Sequence, residues 1–161
     1  MNMNQFTQKS LEAIQSAQNI AAQYGNQQIE QPHLLLALVD QEGGFIPQLL
    51  TNMGLTVESF RAAIRHEVEI LPKVSGSGRE ADKVYISAGV DKAMNQALAI
   101  AGSMKDEFVS VEHLLLALID TAEGSLKELL RTYNVDKEKV MQALAALRGN
   151  QRVTSDNPEE T

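Results

Sequence analysis

The sequence contains no cysteine and no tryptophan, and it has only 4 prolines among 161 residues. The absence of cysteine excludes disulfides and thiolate metal sites, and it suits a reducing compartment such as the cytosol. Lys and Arg number 14 against 21 Asp and Glu, which gives a formal net charge of -7. Because nucleic acids and anionic membrane surfaces attract clustered positive charge, we expect neither as a partner.

Long apolar runs are also missing. No stretch approaches the roughly 18 consecutive apolar residues that a transmembrane helix needs. The first ten residues, MNMNQFTQKS, have neither the basic start nor the apolar centre of a secretory signal. We therefore expect a soluble, cytoplasmic protein.

An internal repeat is the main feature that the sequence does contain. HLLLALVD at 33–40 returns as HLLLALID at 113–120, and matches continue on both sides at a constant offset of 80, as between Gly44 and Gly124. Apolar residues recur at helical spacing, whereas the alternation typical of a strand is absent. The repeated helix is apolar nearly all round, which indicates a buried position. The sequence thus predicts an all-α fold built from two related halves.

Each half is predicted to contain four helices, which gives eight helices with approximate two-fold internal symmetry and no sheet. Thr7, Thr56, Ser87 and Asp136 stand where an N-cap side chain would accept a bond from a free backbone N–H. The expected helices span 7–24, 31–40, 44–53 and 56–70 in the first half, and 87–104, 111–120, 123–133 and 136–148 in the second.

The expected domain covers residues 1–148. It consists of repeat one at 1–70, a connector at 71–85 that is rich in Gly, Ser and charge, and repeat two at 86–148. The last stretch, 149–161, has no apolar periodicity and is predicted to be a flexible linker.

The sequence contains no recognisable motif for a catalytic, cofactor-binding or metal-binding site. GSGREA at 76–81 fits a loose dinucleotide-binding motif, but it follows a helix and a proline rather than a strand, so a linker is the better interpretation. No GxxxxGK[ST] loop occurs. His33 and His113 occupy matching first-turn positions without the close spacing of metal ligands, which favours local hydrogen bonding or packing.

The first helix of repeat two carries more apolar residues than a bundle helix needs. They cover more than half of its circumference, whereas a stripe of about 100° is sufficient. The excess face lies around Val90, Met94 and Leu98. It either packs against the first helix through Leu11 and Ile14, or it lines an exposed apolar groove between these two helices. The residues alone leave both interpretations open.

Several stretches resemble the N-terminal domain of the Clp family of AAA+ unfoldases, and within it the disaggregase type. They are NQQIEQPHLLLALVDQEGG at 26–44, LPKVSGSG at 71–78, DEFVSVEHLLLAL at 106–118 and VTSDNPEET at 153–161. The resemblance covers the whole chain. It implies a non-catalytic domain that binds unfolded or aggregated polypeptide and passes it to a hexameric ATPase ring. ATP and magnesium would then bind only to ATPase modules that follow the tail. The complete chaperone would cooperate with a DnaK-type partner, and the domain by itself would be a monomer.

The resemblance also implies where polypeptide binds. Polar positions beside the groove carry over to Thr7, Asp106 and Glu112, with Ser87 as a weaker addition; for Thr7 and Ser87, simple helix capping is the competing interpretation. The full set of predicted substrate-binding residues is Thr7, Leu11, Ile14, Ser87, Val90, Met94, Asp106 and Glu112.

Two alternatives remain open. A protease-coupled ClpC or ClpA type, which binds adaptors or phosphorylated arginine, would carry Thr-Glu-His before each LL helix, where the Glu can pair with a guanidinium. The first copy here has Pro32 in place of that Glu, whereas the second keeps Glu112. The other alternative is a stand-alone helical scaffold without an ATPase partner.

Overall fold

Two four-helix repeats pack against each other in the computed structural model, which describes residues 3–73, 84–149 and 153–154. The helices of repeat one are α1 Gln8–Gln23, α2 Gln31–Asp40, α3 Phe45–Asn52 and α4 Val57–Glu69. Those of repeat two are α5 Ala88–Ser103, α6 Val111–Thr121, α7 Gly124–Thr132 and α8 Lys137–Arg148. A short 3-10 helix, Met3–Gln5, precedes α1. The eight predicted helices are confirmed, each within one residue of its expected ends.

The helix starts follow from their caps. Thr7, Ser87 and Asp136 each accept a bond from the backbone N–H three residues further on, at 3.2, 3.1 and 2.9 Å. Thr56 precedes α4 as expected, but its side chain makes no capping bond. Three of the four predicted caps are therefore confirmed as hydrogen-bonded caps.

The core is built around α2 and α6. Every residue from Gln31 to Val39 and from Val111 to Leu118 is buried, as two helices that are apolar all round require. Helix α1 lies along α2, and α5 lies along α6. Both outer helices turn a row of alanines inward, which lets the helices of each pair approach closely. The buried alanines are Ala13, Ala17 and Ala21 in α1, and Ala93, Ala97 and Ala101 in α5.

The prediction that the chain has no sheet is wrong in detail. Strand β1, Gln28–Ile29, pairs in parallel with β2, Tyr85–Ile86, and Phe6 forms a parallel bridge with Val109. The bridge is the second copy of the Ile29–Ile86 pair at the offset of 80. In each repeat the residue before the N-cap of the first helix, Phe6 or Ile86, therefore pairs with a residue of the other repeat. These pairs link the two halves. Strands of two residues are too short to show alternation in a sequence.

The connector and the tail are described only in part. Residues 74–83, with GSGREA, lie outside the described residues, as does most of 149–161. Val153, however, is 4% exposed and contacts the domain, so the expectation of a flexible linker does not hold at this residue. None of the helices in the described part of the chain is long and apolar enough to cross a membrane.

Candidate functional site

The excess apolar face of α5 belongs to the core. Val90 and Met94 are 2% and 1% exposed, so the expectation that they line an open groove is wrong in this structure. The physical reason is that α5 lies chiefly along the apolar helix α6 and also contacts α2, so its apolar face is covered by these central helices and not mainly by α1, as the alternative expectation had it. Leu11 and Ile14 on α1 are partly buried against the same core and keep some exposed surface.

Thr7 and Ser87 are buried capping residues. Thr7 is 0% exposed and Ser87 is 4% exposed. The N–H of Thr7 also donates to the carbonyl oxygen of Val109 at 2.9 Å, across the interface between the repeats. Both side chains therefore fix the starts of α1 and α5, and neither is open to a partner in this structure.

The two matching histidines make the local bonds that their positions predict. His33 Nδ1 accepts from the N–H of Glu30 at 2.8 Å, and His113 Nδ1 accepts from the N–H of Ser110 at 2.8 Å. Because a nitrogen that accepts from an N–H carries no proton, each ring holds its proton on Nε2. In repeat one the Nε2–H group of His33 donates to Asn26 Oδ1 at 2.8 Å. In repeat two the equivalent acceptor is a carboxylate.

That carboxylate is Asp106, the residue predicted to lie at the margin of a groove. Its Oδ2 accepts from His113 Nε2 at 2.7 Å, and its Oδ1 accepts from Arg148 Nη2 and from the N–H of Val153, the latter at 2.8 Å. Burial raises the pKa of Asp106, but the hydrogen bonds that it accepts outweigh burial, so this pKa lies below its ordinary value. Asp106 is thus an ionised, fully bonded buried group.

Burial also controls both histidines. It lowers the pKa of His33 from 6.5 to about 4, and the nearby positive charge of Lys73 adds to this effect. Burial likewise lowers the pKa of His113, and the carboxylates of Glu112 and Asp106 only partly offset it. Both rings are therefore neutral at pH 7, which agrees with the tautomers that the hydrogen bonds require.

An open groove does exist between the repeats, at a place that the sequence analysis missed. We call it the inter-repeat groove; it measures about 520 Å³ and lies between the N-terminus of α2, the end of α4 and the start of α7. Its apolar lining residues are Pro32, Ile70, Leu71 and Leu126, and its acidic lining residues are Glu30, Glu67 and Glu123. Ile70 is 56% exposed.

Gln31 holds the two sides of this groove together. Its side-chain amide donates to the carbonyl oxygens of Gly89 at 3.2 Å and Thr121 at 3.1 Å, and its Oε1 accepts from the N–H of Glu123 at 3.1 Å. The equivalent residue of repeat two is the apolar Val111. A polar residue at a position that is apolar in the other copy was therefore a signal in the sequence that the N-terminus of α2 has different neighbours from the N-terminus of α6.

Among the described residues there is no group of three or more His, Cys, Asp or Glu side chains arranged to hold a metal ion. The site has the character of a binding surface made of an apolar floor and an acidic rim.

Comparison with known proteins agrees with this two-repeat architecture. The family described as Clp repeat (R) N-terminal domain matches residues 5–133. The chain belongs to this family. As a Clp N-terminal domain it is similar over its whole length to the chaperone protein ClpB of Nitratidesulfovibrio vulgaris, with 39% identity over 162 residues. The match covers 100% of this chain and 19% of that relative, so the chain spans about a fifth of the relative's length.

Solved structures show the same fold for a Clp N-terminal domain. The N-terminal domain of Hsp104 from Candida albicans has a TM-score of 0.81 at 22% identity, covering 96% of this chain and 98% of that one. A ClpV N-domain in complex with a VipB peptide has a TM-score of 0.69 at 15% identity, covering 98% and 91%. The predicted resemblance and fold class are confirmed.

The carboxylate that a phosphoarginine-binding Clp N-terminal domain would need is not exposed in this chain. Glu112 is 5% exposed, and its Oε1 accepts from the hydroxyl of Ser110. Pro32 takes its place in repeat one. Neither copy therefore offers a free carboxylate at this position.

Proposed function

We propose that this chain is the polypeptide-engaging N-terminal domain of an ATP-dependent protein disaggregase of the ClpB type. The observation that carries the proposal is the 39% identity to a ClpB chaperone over the whole of this chain. The domain itself is non-catalytic and monomeric, and it hands unfolded or aggregated polypeptide to a hexameric AAA+ ring in the cytoplasm. ATP and magnesium bind to the ring, and a DnaK-type chaperone cooperates with the complete protein.

We assign the binding of polypeptide to the inter-repeat groove. Unfolded clients share exposed apolar side chains and little else, and apolar attraction is non-directional, so an apolar floor suits them. Ile70, which is 56% exposed, and the partly exposed Leu71 supply most of that floor from repeat one, and the buried Leu126 of repeat two lies beneath it. The complex of a ClpV N-domain with a VipB peptide supports the idea that a domain of this fold can hold a peptide.

The acidic rim of the groove adds selectivity. Glu30, Glu67 and Glu123 line it, and no Lys or Arg is among the lining residues that the described part of the chain contributes. Charge complementarity of this kind affects the choice of partner and the rate of association more than the affinity. We therefore propose that apolar segments flanked by basic residues are preferred.

The polar residues that were predicted to contact polypeptide have a structural role in this proposal. Thr7, Ser87, Asp106 and Glu112 are buried, so they act by positioning helices and loops. Leu11 and Ile14 keep some exposed surface on α1 and remain predicted contacts for a client.

The test is a binding measurement with a permanently unfolded, basic protein, such as reduced and alkylated lysozyme carrying a fluorophore. Wild-type chain should bind weakly, since ordering a disordered client offsets part of the contact energy. Ile70→Ser should weaken binding about fivefold, because one exposed apolar anchor is lost. Met141→Ser is the matched control, since Met141 is an exposed apolar residue, 37% exposed, on α8 outside the groove.

Two results would count against the proposal in different ways. Equal affinity of the Ile70→Ser and Met141→Ser variants would show that the groove is the wrong surface. Absence of any binding by the folded wild-type chain would contradict the function itself.

A further inference from the structure

The chain contacts the domain again at Val153, five residues after its last helix ends. Helix α8 ends at Arg148, and Gly149 follows with φ 60 and ψ -129, a conformation that side-chain-bearing residues avoid. The N–H of Gly149 donates to the carbonyl oxygen of Ala145 at 2.9 Å, which completes the helix end. A few residues further on, Val153 is buried against repeat two.

Both backbone groups of Val153 are held by the loop between α5 and α6. Its N–H donates to Asp106 Oδ1 at 2.8 Å. Its carbonyl oxygen accepts from the N–H of Glu107 at 2.7 Å and from the N–H of Phe108 at 3.3 Å. Three hydrogen bonds on one residue, together with its burial, fasten the chain at this point.

The acceptor for Val153 is also held by bonds that do not involve Val153. Asp106 Oδ2 is held by His113 at 2.7 Å, and Oδ1 is held by Arg148 from the end of α8. The side chain of Asp106 is 0% exposed and that of Arg148 is 11% exposed, so both are fixed in the protein interior. A preorganised acceptor lets a segment of chain dock and leave without rebuilding the site.

We propose that Asp106 and the loop 106–108 form a clasp for the segment that follows α8, and that opening of this clasp lengthens the tether to the next part of the protein. In the closed state the tether begins after Val153, beside Asp106. In the open state it begins at the end of α8, which adds five residues, 149–153, and up to roughly 17 Å of reach. Only the presence of a larger chain beyond this one rests on the proposed function.

The experiment compares Val153→Pro with Thr154→Pro in the 161-residue chain. Proline at 153 removes the N–H that Asp106 accepts and leaves the buried network of Asp106 intact. Thr154 is the exposed next residue and serves as the matched control. Hydrogen exchange of the Glu107 amide, measured by NMR, reports the clasp because that N–H donates to Val153.

We expect the Glu107 amide to be protected in the wild type and in Thr154→Pro, and to exchange about tenfold faster or more in Val153→Pro, while amides in the centre of α6 keep their protection. An unprotected Glu107 amide in the wild type would overturn the clasp. Unchanged protection of Glu107 in Val153→Pro would overturn it as well.

A second variant approaches the clasp from the other side. In Asp106→Asn the side-chain oxygen can still accept from His113, as Asn26 does from His33, but the NH2 group meets the N–H of Val153 as donor against donor. Faster exchange at Glu107 in a folded Asp106→Asn chain supports the clasp, and unchanged exchange contradicts it. Because Val153 lines no part of the inter-repeat groove, client affinity should stay unchanged in Val153→Pro, which separates this test from that of the proposed function.

Discussion

The two repeats solve the same structural problem with different chemistry. In each, a buried histidine at the third position of the central helix bonds to the residue seven positions before it, which is Asn26 for His33 and Asp106 for His113. That residue also holds the chain that leaves the repeat. Asn26 donates its Nδ2 to the carbonyl oxygen of Pro72 at 2.9 Å, whereas Asp106 accepts from the N–H of Val153 at 2.8 Å.

The comparison shows why one copy needs an amide and the other a carboxylate. An asparagine offers an acceptor to the histidine and a donor to a carbonyl, whereas an ionised aspartate only accepts. Repeat one presents a carbonyl group to this position, and repeat two presents an N–H together with the Arg148 guanidinium. The backbone group of the exit segment therefore determines which of the two side chains fits.

The largest difference that we predict between the copies lies in their outer helices. Met94 on α5 is 1% exposed, whereas its counterpart Ile14 on α1 is only partly buried. Met94→Glu should cost more than about 4 kcal/mol, because it buries an unpaired charge. Ile14→Glu should cost about 1–2 kcal/mol, because its carboxylate can reach water.

Urea unfolding of both variants measures this difference, with Lys137→Glu, an exposed position on α8, as a surface control. A Met94→Glu chain as stable as Ile14→Glu would mean that α5 is not held against the core as the structure has it. That result would instead support the alternative interpretation of the sequence, in which an exposed apolar groove lies between α1 and α5.

Much of the fold was predictable because its signals are local. Helix ends follow from periodicity and from caps such as Ser87, and the burial of α2 follows from the apolar run of HLLLAL. The burial of the apolar face of α5 was not predictable, because which helices cover a face is a tertiary property. The same holds for the bond between Asp106 and Val153, which are 47 residues apart. The inter-repeat groove was missed because its floor comes from the ends of three helices, where periodicity carries no information.

A pH-dependent loss of stability is the second prediction. The pKa of His33 is about 4 in the folded chain against 6.5 for an ordinary histidine, so the unfolded chain binds the proton first as the pH falls. The stabilising contribution is complete above pH 6.5, is lost between pH 6.5 and pH 4, and amounts to roughly 3 kcal/mol. The pKa of His113 is also lowered, so both repeats weaken in acid.

NMR titration of the imidazole protons separates the two copies. The His33 signal should titrate near pH 4, and Lys73→Met should raise this pKa because a nearby positive charge is removed. The same substitution should leave the pKa of His113 unchanged, because the position equivalent to Lys73 in repeat two is the uncharged Val153. Titration of His33 near pH 6.5 in the folded protein would contradict the buried, neutral state of this imidazole.

The smallest predicted difference concerns the last helix of each repeat. Asp136 and Thr56 occupy equivalent cap positions before α8 and α4, but only Asp136 accepts a bond from a backbone N–H, that of Lys139 at 2.9 Å. Asp136→Ala should therefore cost about 1 kcal/mol, the usual value for a lost N-cap, and Thr56→Ala should cost less than half of that. Part of the Asp136 effect comes from its negative charge at a helix N-terminus, so Asp136→Asn should keep most of the stability and lose only the salt-sensitive part. Urea unfolding at low and high salt measures all three variants. Equal losses for the two alanine variants would mean that Thr56 caps α4 in solution, and the two repeats would then be alike at this position.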